Sequence, residues 1–326
     1  MDSEWKAGLE DVIAARSGIC TIDGMKGQLY YRGYEIGELA GHVSFEDVTW
    51  LLWHGELPTA GQAREFAARL QEARGLPAPV RELLERLPRD CHPLDALRTA
   101  VSLAASIDPD VRSNEREANL RKACRIMSLV PATVAAWQRI RTGHQPVAGI
   151  GGGSQAAWFL SLLDGREPTP EVAWVMDLVL TLHADHEFNA STFALRVAVA
   201  TLADFHAATV AAISTLKGPK HGGANEDVLT MLREIGDPAR AEDYIAKRLG
   251  ARAGLSRTER GDPKARVPGF GHRVYRVDDA RARVLRGMAK SMAAATGREK
   301  LFEVAERVYE ATTKATGLPV DRKSVV

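Results

Sequence analysis

Cysteine is scarce in this chain of 326 residues, and the little there is excludes a disulfide framework. Cys20, Cys91 and Cys124 are odd in number, far apart and form no C-x-x-C pair. The expectation is reduced thiols in a cytoplasm. An excess of charge of one sign is also missing: 43 Lys and Arg face 42 Asp and Glu, for a net charge of +1. No basic surplus points to nucleic acid, and no block of like charge marks a binding tail. An anionic substrate must therefore be held by a few local cations and not by a global field. Unbroken apolar runs are lacking too. The longest carry Asp185, His186, Arg196 and Asp204, which argues against a membrane span, and the opening Met-Asp-Ser-Glu-Trp-Lys has no apolar signal segment.

What remains is ordinary soluble composition, 45% hydrophobic and 26% charged, in a length that suits one large domain or two unequal ones. Residues 19–32 read as a β-hairpin, because Ile22 and Leu29-Tyr30-Tyr31 flank the turn formers Asp23-Gly24 and Gly27. Helix follows helix after that. Ser44 with Asp47 and Thr59 with Gln62 make two capping boxes. The first opens a run stopping at Gly55. The second opens a helix with Ala63, Phe66, Leu70 and Ala73 on one face, ended by Gly75 and Pro77. Thr169-Pro170 caps a third helix. Residues 172–182 are apolar on nearly every face and are expected to be buried all round, as is the alanine-rich stretch 193–216. Residues 279–296 and 298–316 read as two amphipathic helices separated by Gly297 and closed by Gly317 and Pro319. Residues 251–268, rich in Arg, Gly, Asp and Pro, read as a mobile loop. No solenoid repeat occurs.

Chemistry concentrates in three segments. The first is a polar island, residues 181–191, set between the two apolar stretches. Its polar groups need partners or a ligand, and the three-residue spacing of His183 and His186 puts both on one face of a helix end. In the second, His221 precedes Gly222-Gly223, which lets backbone approach a bound molecule, and Asn225 and Glu226 can fix its ring tautomer. In the third, His272 sits in a Gly-x-Gly-His turn, with Arg273, Arg276 and Arg281 offering forked donors to carboxylate or phosphate. Each has a plainer reading. A lone histidine is more often structural, and His42, His54, His92, His144 and His206 are read that way. The arginines alone could be a solvated helix face, and Gly269-Phe-Gly271 alone is a weak signal.

Together the segments resemble one family. G-F-G-H-R-V-Y-R-V-D-D-A-R at 269–281 is similar to the citrate synthase signature, with Ala280 where a proline is usual. H-A-D-H-E-F-N-A-S-T at 183–192 and G-P-K-H-G-G-A-N-E at 218–226 also fit. So do I-D-G-M-K-G-Q-L-Y-Y-R-G-Y-E-I at 22–36 and L-L-W-H-G-E-L-P-T at 51–59, which resemble its bacterial branch. The resemblance runs from about residue 18 to 319. It implies an all-α, citrate synthase-like fold: a large helical domain (1–221), a smaller helical domain (222–320) and a short N-terminal β-hairpin. It implies condensation of acetyl- or propionyl-coenzyme A with oxaloacetate, giving citrate or 2-methylcitrate. His221 and His272 would be catalytic, together with a carboxylate at the position of Asp321. His186, Arg281, His183 and Asn189 would bind oxaloacetate, while Arg276, Val267, Pro268 and Gly269 would bind coenzyme A. No cofactor or metal is implied beyond the thioester co-substrate, and the partner is a second copy in a cytoplasmic homodimer, with neither nucleic acid nor membrane.

Residues 321–326, D-R-K-S-V-V, depart from the family's pattern and are expected to be a non-native tail. Family members continue into further helices and substrate-binding arginines. Omitting terminal core helices would expose roughly 500 Å² of apolar surface, worth about 12 kcal/mol, against a typical total stability of about 5–15 kcal/mol. A polypeptide ending at Val326 is therefore expected to express poorly and to lack condensation activity. Two other classes were weighed. A metal-dependent helical phosphohydrolase could use His183, Asp185, His186 and Glu187 as ligands, but there is no H-E-x-x-H, and His221 and His272 stay unexplained. A catalytically silent oxaloacetate- and coenzyme A-binding relative is the other.

Overall fold

Strands β1 (Cys20–Asp23) and β2 (Gln28–Tyr31) form the expected hairpin, pairing Cys20 with Tyr31 and Asp23 with Gln28. A short third strand, β3 (Tyr34–Glu35), adds antiparallel to β2. The computed structural model describes residues 15–218, 221–253, 267–271 and 274–317. Helices make up nearly all the rest. They run α1 (Ile36–Leu39), α2 (Phe45–His54), α3 (Ala60–Glu72), α4 (Ala78–Arg86), α5 (Pro93–Ala105), α6 (Arg116–Arg141) and α7 (Gln155–Asp164). Then come α8 (Pro170–Leu182), α9 (Ala190–Ala200), α10 (Phe205–Leu216), α11 (Ala224–Ile235), α12 (Ala241–Ala253), α13 (Ala280–Thr296) and α14 (Glu299–Thr316). The fold is thus all-α with one small sheet.

Both predicted capping boxes are present: Ser44 and Asp47 bond each other's backbone at the start of α2, and Thr59 and Gln62 do so at α3. Each satisfies two N–H groups that a helix start leaves orphaned. Left-handed glycines end α2, α13 and α14 at Gly55, Gly297 and Gly317.

Of five apolar cores among the described residues, the three largest in sequence span bear on the site. In the first, Leu29 and Tyr31 of the sheet meet Ile36, Leu51, Leu178 and Leu182, and the start of α13 joins through Ala280 and Leu285. The second packs α4, α5 and α6 around Trp137 and Ile140, with Ile213 of α10. The third draws Met231, Ile235, Ile245, Val267, Val304 and Val308 together from α11, α12, α14 and the segment before Phe270.

Two expectations about burial are corrected. In α8 only Leu178, Thr181 and Leu182 are buried, and Trp174 is 50% exposed. The stretch 193–216 is two helices broken at 201–204, where Leu202 takes φ 60° and the Asp204 side chain caps α10. In α9 nothing is buried: Val197 is 55% exposed, and Leu202 beyond its end is 78% exposed. An apolar helix buries only the faces its own chain covers; what is left needs another surface.

The join of α2, α7 and α8 holds two carboxyls, buried Glu46 and half-buried Asp177. Asp177 accepts from Phe45 N (3.0 Å) and Glu46 from Gln155 N (2.7 Å). Burial, reinforced by the charge of Glu46, pushes Asp177 up to about 7. The unfolded carboxyl titrates near about 3.9. Between those values the folded protein binds the extra proton, so stability falls as pH rises through that window. Asp177→Asn is expected to raise the urea midpoint at pH 8 and to flatten its fall between pH 4 and pH 7. An unchanged pH profile would refute this.

Candidate active site

The polar island is shaped by its own backbone contacts. α8 stops at Leu182 and His183 takes its cap position, so His186 lies in the loop beyond. The shared helix face read from their spacing is not formed. His183 Nδ1 is 2.7 Å from Val179 O; a carbonyl only accepts, so Nδ1 carries the ring proton. Glu187 sits at φ 54°, a left-handed conformation that a non-glycine residue keeps only when its surroundings hold it. Here Asp185 Oδ1 accepts from Glu187 N (2.9 Å) and Glu187 Oε1 accepts from Ile22 N (3.2 Å). The Tyr31 hydroxyl donates to Asp185 O (2.9 Å) and accepts from Asp185 N (3.2 Å). Burial raises both the Asp185 and the Glu187 carboxyl, against the pull of those backbone donors.

The third segment comes against this island from the far end of the sequence. Tyr275 is buried, with its hydroxyl 3.3 Å from His186 Nε2. Asp279 caps α13 by accepting from Arg281 N (2.9 Å), and the same carboxylate takes two guanidinium bonds of 2.9 and 2.6 Å. Arg281 is 1% exposed and Asp279 0%. Burial works against the ionised Asp279, but the hydrogen bonds and charge of Arg281 outweigh it and hold the carboxyl below its ordinary range. An arginine fixed bidentately by a neighbour is a preorganised charge for an anion. The arginine cluster therefore divides: Arg281 is buried and Arg276 is exposed. Arg273 and His272 lie outside the described residues, as does Asp321.

His221 stands after α10 with Nε2 2.9 Å from Ser191 Oγ. If the hydroxyl donates to Nε2, the ring proton stands on Nδ1, where it can be given to a substrate oxygen; if it accepts, Nε2 carries the proton. Ser191, which stands within the motif 183–192, is a contact of this ring that residue type and spacing did not single out. The glycine after His221 is also required by the chain itself. A Cβ on Gly222 would lie 2.3 Å from Leu216 O, so the close approach is to the chain itself.

Asn189 caps α9, its Oδ1 accepting from Thr192 N and its Nδ2 donating to Thr192 Oγ1, both at 3.0 Å. Val267 is buried in the third core and is followed by Pro268 and Gly269, the latter at φ 84°. The remaining described histidines have structural partners where contacts are given. His92 accepts from Leu94 N at the start of α5, His54 stacks on Trp50, and buried His206 lies 3.5 Å from Asp108. The four side chains weighed as metal ligands turn to separate protein groups, and among the described residues no three His, Cys, Asp or Glu converge on one point. A cleft of about 490 Å³ between α2, α3 and α6, lined by Trp50, Trp53 and Phe66, contains none of the predicted site residues.

Comparison with known proteins meets this geometry from outside. The family model described as citrate synthase, C-terminal domain, matches residues 8–320. The chain is 41% identical over 313 residues to citrate synthase 2 of Bacillus subtilis, covering 96% of this chain and 80% of that protein. It is 37% identical over 313 residues to a 2-methylcitrate synthase of Mycobacterium tuberculosis, covering 96% and 76%. Among solved structures, the ternary complex of carboxymethyl coenzyme A and oxaloacetate with citrate synthase from Thermoplasma acidophilum superposes with a TM-score of 0.89. That match is 30% identical and covers 98% of this chain and 82% of that one. The protein is a helical acyltransferase. It belongs to the citrate synthase family.

Proposed function

We propose that this chain condenses the acyl group of acetyl- or propionyl-coenzyme A with oxaloacetate and water, releasing citrate or 2-methylcitrate and free coenzyme A. The observation that carries the assignment of roles is convergence. His186 meets Tyr275 across 89 residues, and Ser191 meets His221 across 30, so the family's separated motifs face one another. The reaction needs no metal or prosthetic group; the thioester is a co-substrate.

Arg281 and His186 hold oxaloacetate, with His183 and Asn189 shaping the loop and the start of α9 beneath it. A carboxylate, expected at the position of Asp321, removes a proton from the carbon next to the thioester carbonyl. His221, oriented by Ser191, donates to the thioester oxygen as it gains charge. Stabilisation of developing charge by a fixed donor is what makes so weak an acid usable. The enol carbon attacks the ketone of oxaloacetate while His272 donates to the new alkoxide, and water then cleaves the citryl thioester. Arg276 faces the phosphates of coenzyme A, with Val267, Pro268 and Gly269 beside its adenine. The division into domains 1–221 and 222–320 belongs to the same proposal. The third core, with buried residues between 228 and 308, supports it for α11, α12 and α14, whereas Ala280 and Leu285 tie the start of α13 to the first core; closure of one domain on the other would exclude water.

Mixing the protein with oxaloacetate and each acyl-coenzyme A in turn, while following free thiol, tests the reading and ranks the two thioesters. Oxaloacetate-dependent thiol release is the result that sustains it, and it would overturn the sequence-based expectation of an inactive chain. Binding heat with oxaloacetate but no thiol makes the protein a silent relative. Neither signal sinks the reading.

A homodimer completes the proposal. Its support is the uncovered apolar surface of α8 and α9, where Trp174, Phe193 and Val197 are exposed. A cytoplasmic location is part of the same reading, supported by three unpaired cysteines. Sedimentation is expected to give twice the chain mass, and Val197→Asp is expected to give the single-chain mass. A wild-type monomer at micromolar concentration would rule the dimer out.

A further inference from the structure

We infer that the β1–β2 hairpin is a positioning element for substrate binding: its turn fixes the segment bearing Arg276 and Arg281, and its strands fix the loop bearing His186. The inference rests on the functional reading above for what those residues bind. Gly24 O accepts from Arg276 N at 2.8 Å, and Gly27 O accepts from Arg283 Nη2 at 2.6 Å, a bond across 256 residues. The fit is close enough to require both glycines. A Cβ on Gly24 would lie 2.3 Å from Val274 O. On Gly27, which is at φ 64°, it would lie 2.7 Å from Asp278 O. Those carbonyls belong to the backbone between Arg276 and Arg281 or just before it, so a collision there moves the arginines and not a flexible side chain.

The other end of the hairpin is tied equally well. Ile22 N donates to Glu187 Oε1 (3.2 Å), and Tyr31 makes its paired bonds to the backbone of Asp185. Glu187 and Asp185 flank His186. One direct link between the two substrate-binding segments is the 3.3 Å contact of His186 with Tyr275; the hairpin adds bonds to each from a ladder of four residue pairs. None of Gly24, Gly27, Arg283 and Glu187 contacts substrate in the reading above. They act through the residues that do.

Calorimetric titration with oxaloacetate, paired with amide hydrogen exchange read by mass spectrometry, tests this on the full chain. Misplacing a binding group by about 1 Å can cost on the order of 10²-fold, so Gly24→Ala is expected to weaken oxaloacetate binding by about 10- to 100-fold. Amide exchange should quicken in 274–283 while the rest of the chain keeps its protection. Losing one hydrogen bond is expected to cost up to about tenfold in Glu187→Ala. Glu187→Gln keeps the acceptor oxygen and should restore wild-type affinity, which a general loss of packing would not do. If Gly24→Ala fails to fold, Arg283→Ala removes the tether from an exposed side chain without strain and carries the same expectation of weaker binding and faster exchange. Unchanged affinity and exchange in a folded Gly24→Ala or Arg283→Ala protein overturns the inference. If wild-type protein gives no heat with oxaloacetate, the functional reading fails, and exchange at 274–283 alone then decides whether the hairpin holds that segment.

Discussion

Replacing Asp279 with alanine is expected to cost about 3–5 kcal/mol of folding stability, because it strands the guanidinium of Arg281 in the interior without its partner. The pair is fully buried and doubly hydrogen-bonded, so solvent cannot take over the lost contacts. Urea unfolding followed by circular dichroism measures the cost, and a change under about 1 kcal/mol, the range typical of an exposed pair, would refute the claim. The double variant Asp279→Leu with Arg281→Met separates structure from function. Apolar replacement of both members of a buried pair is often neutral or stabilising. That protein should regain the stability lost to the stranded charge, short of about 0.5–2 kcal/mol for the missing α13 cap, while showing no oxaloacetate binding, because the anion's cation is gone. Recovery of both properties would remove Arg281 from the site.

His221→Gln is expected to slow thiol release by about 10²- to 10³-fold, the usual cost of losing one preorganised donor to a developing oxyanion. Oxaloacetate affinity should be unchanged, since the ring is assigned to the thioester and not to the keto acid. Ser191→Ala removes the hydroxyl 2.9 Å from Nε2 and leaves the ring in place. One neutral hydrogen bond is worth about 0.5–1.5 kcal/mol, so its loss should be up to about tenfold. Equal losses in the two variants would mean that Ser191 acts on substrate directly. A wild-type rate in His221→Gln would refute the mechanism.

Local rules carried most of the fold. Ser44 and Thr59 start helices because a side-chain oxygen three residues upstream of a free N–H can bond it, and Gly55, Gly297 and Gly317 stop them because glycine accepts the left-handed turn. These are short-range facts that a sequence displays. Burial is long-range. The apolar runs in α8 and α9 read as interior, but Trp174 and Val197 stand on the surface of the single chain. Hydrophobicity says that a face seeks cover without naming what covers it. The site divided in the same way. His186, His221 and Arg281 stand out as candidates from motif and residue type. The pairing of Ser191 with His221 and of Asp279 with Arg281 depends on which atoms the fold brings within 3 Å, and spacing alone does not give that. The helical face shared by His183 and His186 failed because α8 ends one residue before the first of them.

The hairpin also sets an order of assembly. Its bonds reach Glu187 across 165 residues and Arg283 across 256, among the longest loops the chain can close. Closing such loops is entropically late. On a ribosome adding about 5–20 residues per second, the turn at 24–27 waits on the order of tens of seconds before its counterpart exists. Helix pairs such as α5 with α6 can settle meanwhile from neighbouring sequence. The contacts of the hairpin with 185–187 and 274–283 thus form late, while Leu29 and Tyr31 can already pack on Ile36 and Leu51 of the neighbouring helices. Chaperone dependence during synthesis should track these few long-range bonds more than the size of the helical cores.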